Sequence, residues 1–381
     1  MHFSAKIISA AALCVLAGCS SWNPFSSKSE KNVPAALLEI KPTLSVKQLW
    51  SVQVGSAQNY VFSPAIVGQQ LYVAAADGTL LKIDAASGRA DWRINAGVRL
   101  TGGVGANART VVVAGDKGGL FAFDNEGKLR WKNQDSTEIL SAPALSDSLV
   151  VVRSIDNKIS AYDVETGARK WVVERTLPAL TLRAFPGLVV AGDQVIIALP
   201  GGRMAALSLA NGSLRWEAVV GEPKGATELE RVADVSGFPA IIGRDVCASA
   251  YQGRVGCFDL NTGAVRWVKK LSSEVGVGVD ERFVFAADVG GAVTAYNRES
   301  GSSAWKNDKL ANRRLSAPVS FGRSVVVGDL AGYVHFLSRE DGSFIGRLPT
   351  DGSQILAAPV VVGSNLIVQT KSGLVVAIAT E

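Results

Sequence analysis

The sequence predicts an all-β protein: an eight-bladed β-propeller of four-stranded antiparallel blades, with the ring closed by an N-terminal strand. Three observations predict it. Beyond residue 44, no stretch holds a helical period; short Val/Ile/Leu/Phe/Tyr runs alternate with Gly/Asp/Asn punctuation instead. A turn unit ending in Trp recurs through the whole of that region. Glu381 stands 331 positions after Trp50, and one eighth of that is about 41, the size of one four-stranded blade.

At the amino terminus, Lys6 precedes the apolar run Ile7 to Ala17, which ends in Gly18-Cys19. A basic start, a run too short to span a bilayer and small residues at its end describe a secretory signal, residues 1–18. Leu16-Ala17-Gly18-Cys19 resembles a bacterial lipobox, which makes Cys19 the expected lipidation site, carrying palmitate among its acyl chains. Three acyl chains exceed the two-signal requirement for stable anchoring. An ordinary signal with a chance Cys is the plainer alternative. Residues 19–44, rich in Ser, Lys, Asn and Pro, read as a flexible lipidated tether; about 25 coil residues span roughly 25–30 Å. The propeller is expected over 45–381.

The repeat is clearest at Ala76-Asp77-Gly78-Thr79-Leu80, followed by Asp84, Gly88 and Trp92. It returns with Trp131, Trp171, Trp216, Trp267 and Trp305; a seventh copy has Gly346 in place of Trp, and an eighth breaks off after Gly373. Pro64, Pro143, Pro239, Pro318 and Pro359 each stand 14 residues before the turn Gly or Asn, in the same phase. Asp/Asn-Gly supplies the positive φ of a tight hairpin, and Asp-x-x-Thr-Gly makes a second turn whose carboxylate is available to backbone N–H groups. The Trp is expected to end the outermost strand and pack on the neighbouring unit. Trp50, with no hairpin motif before it, supplies the strand that the last copy lacks. Such sheets cannot bury both faces alone, so they stack, and closure leaves only short edges.

Successive blades are joined by connectors that emerge on one face. Most are short, from 9 residues (Trp267 to Gly276) to 14 (Trp50 to Pro64), but Trp171 to Pro186 takes 15 and Trp216 to Pro239 takes 23. Two long neighbouring loops on one face are where a propeller carries a binding site. Both mix leucines with charges, as an interface core with a polar rim does.

The repeat resembles the PQQ-like propeller repeat known from quinoprotein dehydrogenases. Together with the lipobox, the eight-fold count and Thr227-Glu-Leu-Glu-Arg-Val-Ala-Asp-Val235, the whole mature chain resembles the BamB family, lipoproteins of the outer-membrane β-barrel assembly machinery. That resemblance implies a non-catalytic scaffold without a cofactor, anchored in the outer membrane of a Gram-negative bacterium and facing the periplasm. It also implies docking on the POTRA domains of the barrel protein BamA, with unfolded outer-membrane proteins as clients. Leu180-Thr-Leu182-Arg183 matches the family's Leu-x-Leu-Arg, and Asp234 the first acid of its Asp-Val-Asp; Ser236 replaces the second acid. The expected contacts are Leu180 and Leu182 as apolar anchors, Arg183 as a bidentate donor and Asp234 as its orienting partner or a further contact. Glu230 and Arg231, beside them on the second loop, complete the expected partner-binding residues.

Cys247 and Cys257 flank the turn at Gln252-Gly253; a cross-strand disulfide and a pair of buried thiols both fit the spacing. The turn aspartates Asp77, Asp116, Asp156, Asp288 and Asp329 recur too regularly for catalytic pairs. Gly102-Gly103-Val104-Gly105 has no following helix, so a phosphate loop does not fit. With 39 Lys+Arg against 34 Asp+Glu, the excess of 5 positive charges is far from a nucleic-acid-binding stripe. Only His2 and His335 are present, which leaves a His-based triad or multi-histidine metal site without material. The competing readings are a propeller binding a glycan or peptide at its central funnel, and a PQQ- and calcium-dependent dehydrogenase. The chain lacks the adjacent Cys pair and the Cys-x-x-Cys-His haem motif that such dehydrogenases carry.

Overall fold

The computed structural model describes residues 32–182 and 185–381; the expected signal and Cys19 lie outside the described residues. Each repeat supplies two Gly- or Asn-centred turns between β-branched runs, and each folds as a four-stranded meander. The described residues form eight such antiparallel sheets, numbered as blades in chain order. Blade 2 runs from Leu100 to Gln134, blade 3 from Ala144 to Glu174, blade 4 from Leu188 to Val219, blade 5 from Val235 to Lys270, blade 6 from Val277 to Asn307 and blade 7 from Val319 to Pro349. Blade 1 is built of Ala65–Val67, Gln70–Ala74, Thr79–Asp84 and Ala90–Asn95. Blade 8 is built of Val360–Val362, Asn365–Gln369 and Leu374–Thr380, and Val46–Gln53 pairs along the last of these, from Val46↔Thr380 to Gln53↔Leu374. The two chain ends therefore close one sheet, as the split repeat predicts.

Apolar residues alternate across the two middle strands of each blade and fill the clefts between blades; Leu71, Val73, Leu81 and Ile83 of blade 1 meet Ile367, Val375 and Ala377 of blade 8 in one buried cluster. The glycine-rich strand Leu100–Ala106 belongs to blade 2 and packs its backbone on the next connector. A Cβ on Gly105 would lie 2.2 Å from the Pro143 carbonyl oxygen, so a side chain there would prise two blades apart.

The tryptophans sit in the middle of the outermost strands rather than at their ends. In each outermost strand a register shift falls one residue before the Trp position. Such bulges turn a strand locally, and the ring reaches across to the following blade. Trp131 Nε1 donates to Val164 O (3.0 Å), and its ring lies where a Cβ on Gly167 would be 2.7 Å away. The same pairing joins Trp50 to Ala85 and Gly88, and Trp305 to Arg339 and Gly342. The Gly of each Asp-x-x-Thr-Gly turn thus forms the floor on which the preceding blade's indole rests. The turn carboxylates act as expected of structural groups. Asp163 Oδ1 accepts from Thr166 N and Glu165 N, and Asp77 Oδ1 from Thr79 N.

Residues 34–44, expected as the end of a tether, lie along blade 7. Ala35 N donates to Ala311 O and Ala35 O accepts from Arg313 Nη1 (2.8 Å each); Arg347 Nη1 donates to Leu38 O (2.9 Å), and Thr43 and Leu44 N both reach Ile345 O (3.0 Å). Leu37 packs on the cluster around Phe285 and Trp305, and Leu44 is buried against Phe336 and Ile345. In sequence these residues follow a Ser- and Lys-rich stretch and are themselves mostly apolar with two prolines; arginines on blade 7 and its incoming connector supply the donors for their carbonyls. The arginines are themselves held by a buried cluster: Asp329 Oδ2 accepts from Arg313 Nε (2.6 Å) and His335 Nε2 (2.9 Å), and Arg347 Nε donates to His335 Nδ1 (3.2 Å).

Cys247 and Cys257 are directly opposed on neighbouring strands of blade 5 and are disulfide-bonded, with Cα atoms 4.1 Å apart.

Candidate functional site: two tied connectors

In each blade the turn between the second and third strands faces the outgoing connector. Asn157 Nδ2 of blade 3 donates to Arg175 O (3.3 Å) and Thr176 O (3.1 Å), which start the 175–187 connector. Arg175 also pairs with Glu217 on the outermost strand of blade 4. The following connector, 220–234, leaves blade 4 beside Gly202, whose carbonyl accepts from Val220 N and Gly221 N. Both long loops therefore lie on the face of the second-to-third-strand turns.

Asp234 joins them. Its Oδ2 accepts from Leu182 N (2.6 Å) and its Oδ1 from Gly201 N (2.9 Å), so one carboxylate ties the first loop, the blade 4 turn and the end of the second loop. The residue is only 4% exposed. Burial pushes its pKa up, opposed by those two N–H groups and by the charge of Arg153. Both Asp234 oxygens are thus engaged on backbone groups inside the molecule, and the expected pairing with Arg183 lies outside the described residues. Ser236 is buried in the first strand of blade 5, where a second acid would have been buried with it. Replacing Asp234 by Asn should turn an amide NH2 toward one of the two N–H donors and destabilise the protein by about 1–3 kcal/mol. A lowered urea midpoint with faster amide exchange at Leu182 or Gly201 is the expected result; an unchanged midpoint would remove the tie from the account.

The second loop carries a capped turn. Thr227 Oγ1 accepts from Glu230 N (3.3 Å), while Glu230 Oε2 accepts from Thr227 N (3.1 Å) and Ala226 N (2.8 Å), the reciprocal arrangement of a capping box. Those N–H groups hold the Glu230 carboxyl below its usual pKa. Arg231 donates to Gly225 O and pairs with Glu228. Glu230 and Arg231 are exposed, yet both shape the turn, and what the turn presents is Leu229, 71% exposed. Leu177 and Leu180 are exposed on the first loop, at 43% and 47%, whereas Leu182 is partly buried and lines a cavity of about 220 Å³ with Leu140, Ser141, Arg153, Thr181 and Pro186. The sequence shows leucines on both loops without singling out Leu177 and Leu229; the Thr-x-x-Glu spacing is the signal for Leu229, and Arg153 has none. Among the described residues, no three His, Cys, Asp or Glu side chains gather as a metal site. The arrangement sets exposed leucines and charged side chains side by side on two loops tied at Asp234.

The fold is that of a PQQ-like repeat propeller with two long, tied connectors on one face. The family model for the outer membrane protein assembly factor BamB matches residues 45–98, 92–307 and 289–381. The chain belongs to the BamB family. It is 43% identical over 328 residues to the BamB of Burkholderia pseudomallei, covering 86% of this chain and 85% of that one. To the BamB of Bordetella pertussis it is 41% identical over 317 residues, 83% of this chain and 81% of that one. The crystal structure of BamB from Moraxella catarrhalis superposes with a TM-score of 0.81 at 27% identity, covering 88% of this chain and all of the other. A quinohemoprotein alcohol dehydrogenase from Comamonas testosteroni shares the fold at a TM-score of 0.70 and 14% identity.

Proposed function

We propose that this propeller is a non-catalytic scaffold that docks onto the POTRA domains of a BamA-like barrel protein and assists the folding and insertion of outer-membrane β-barrels. The observation that carries the reading is the pair of connectors locked together at Asp234 with Leu180 and Leu229 left exposed at their tips. Apolar tips on a rigid support keep the ordering cost of docking low, and a ring of charges around an apolar centre is the composition of a recognition patch. The relatives' description as assembly factors supports the same reading. Cys19 would carry the lipid that holds the scaffold at the periplasmic side of the outer membrane, with the residues after it as a leash. Arg183 would supply a bidentate donor at the edge of the patch.

The test is co-purification with the barrel protein. Leu180→Glu and Leu229→Glu should each reduce capture about tenfold, equivalent to roughly 1.4 kcal/mol, and Arg183→Glu should weaken it as well, with the β circular-dichroism signal unchanged. Undiminished capture by both leucine variants would move the contact to another face. A quinone absorbance band travelling with the protein after addition of PQQ and calcium would overturn the non-catalytic assignment.

A further inference from the structure

Arg153 ends the second strand of blade 3, Leu149–Arg153, at the recognition face. Its guanidinium reaches blade 4, where Nη1 donates to Ala198 O (3.2 Å). Nε is sealed from solvent with no hydrogen-bond partner. Burial lowers the pKa to about 10, so the group stays charged at neutral pH. The nearby carboxylate of Asp234 acts on it through space, with no hydrogen bond between the two. A partly buried guanidinium with no carboxylate hydrogen-bonded to it is costly, and proteins seldom leave one so.

Beside this guanidinium is the cavity of about 220 Å³, with Leu140, Leu182 and Pro186 as apolar wall and the hydroxyls of Ser141 and Thr181 at its edge. A single water needs only about 10–15 Å³ of such space, so the cavity has room for a side chain. We propose that this cavity receives the carboxylate of an acidic side chain, carried on an extended segment of the docked partner, against Arg153. Nη2 is the guanidinium nitrogen neither sealed nor engaged and can donate to a carboxylate oxygen, while the leucine and proline wall accepts the methylenes of a glutamate. Among the described lining residues, Arg153 is the one cation. The inference rests on the docking role proposed above, since Leu180 stands two residues from the cavity wall at Leu182.

The experiment uses the 15N-labelled mature chain titrated with N-acetyl-glutamate amide, and with N-acetyl-glutamine amide as the neutral control. The Arg153 Nε–H resonance, identified by its loss in Arg153→Lys, should move with the glutamate compound and stay in place with the glutamine one. No movement, or equal movement with both, overturns the proposal. Arg153→Gln should also lower capture of the barrel protein about tenfold; full capture by a folded Arg153→Gln overturns it too. If Arg153→Gln fails to fold, the titration of the unsubstituted chain decides alone. Leu180→Glu separates the two claims: it should lose capture and keep the glutamate-dependent shift. A shift that persists while no loop variant affects capture would defeat the docking surface and leave the carboxylate site standing.

Discussion

Asp329→Asn should destabilise the propeller by about 3–5 kcal/mol, the cost of breaking a buried ion pair by removing one partner, read as a lowered urea midpoint. Asp329 is fully buried, and besides Arg313 and His335 it accepts from Ala331 N (2.8 Å) and Tyr333 N (3.0 Å). An amide in its place loses the charge and turns an NH2 toward one of these donors. Burial works to raise the Asp329 pKa, but the hydrogen bonds from His335, Tyr333 and Arg313 outweigh it and hold the group at about 2. His335 is shifted down, first by burial and then by the charges of Arg347 and Arg313, against the pull of Asp329. The Arg347 bond to Nδ1 requires the neutral ring with its proton on Nε2.

The signs follow from linkage. For His335 the unfolded chain binds the proton first, so stability should begin to fall as pH drops below about 6.5, at up to about 1.4 kcal/mol per pH unit. Asp329, with its pKa depressed in the fold, contributes fully above the unfolded value of about 3.9 and loses that contribution as pH falls toward about 2. Since His335 is the only histidine after residue 2, the window between about 5 and 6.5 reports on it. His335→Gln should flatten the midpoint-versus-pH curve there; a slope surviving that substitution would show that another group titrates.

Gly346→Trp, which restores the repeat's own consensus, should destabilise by about 3 kcal/mol, although consensus substitutions usually stabilise. Every other blade's Trp rests on the turn Gly of the following blade, but blade 8 has no such turn. Its third and fourth strands are joined by pairing between Ser45 and Glu381 rather than by chain. A Cβ at 346 would stand 2.9 Å from Val46 Cγ2 and 3.6 Å from Leu44 O. An indole would have to expel residues 43–46 from the place they fill. Gly346→Ala should cost much less, since Val46 can give way. A raised midpoint for the Trp variant would mean that the incoming chain is not what excludes the ring.

The ring was legible because its causes are local and repeated: turn glycines, a Trp at fixed spacing, and a missing half-repeat at each end that only closure completes. Gly346 looked like a decayed copy, and its reason lies in Val46, distant in sequence. Asp234 was legible as important but not as buried, because its partners are backbone groups of Leu182 and Gly201 and carry no residue signature. Arg153 was invisible for a similar reason. A lone Arg at a strand end acquires meaning only when blade 4 and the connector from blade 2 enclose it. Residues 34–44 read as tether by composition, while the arginines that hold them are 278 and 309 positions away.

Those arginines have a mechanical consequence. A pull arriving from the amino terminus meets the grips at Ala35 and Leu38 before it reaches the seam between Val46–Gln53 and Leu374–Thr380. They serve as strain relief, as a clamp on a cable keeps tension off the joint, so that drag on the leash would be borne by blade 7 while the seam stays unloaded.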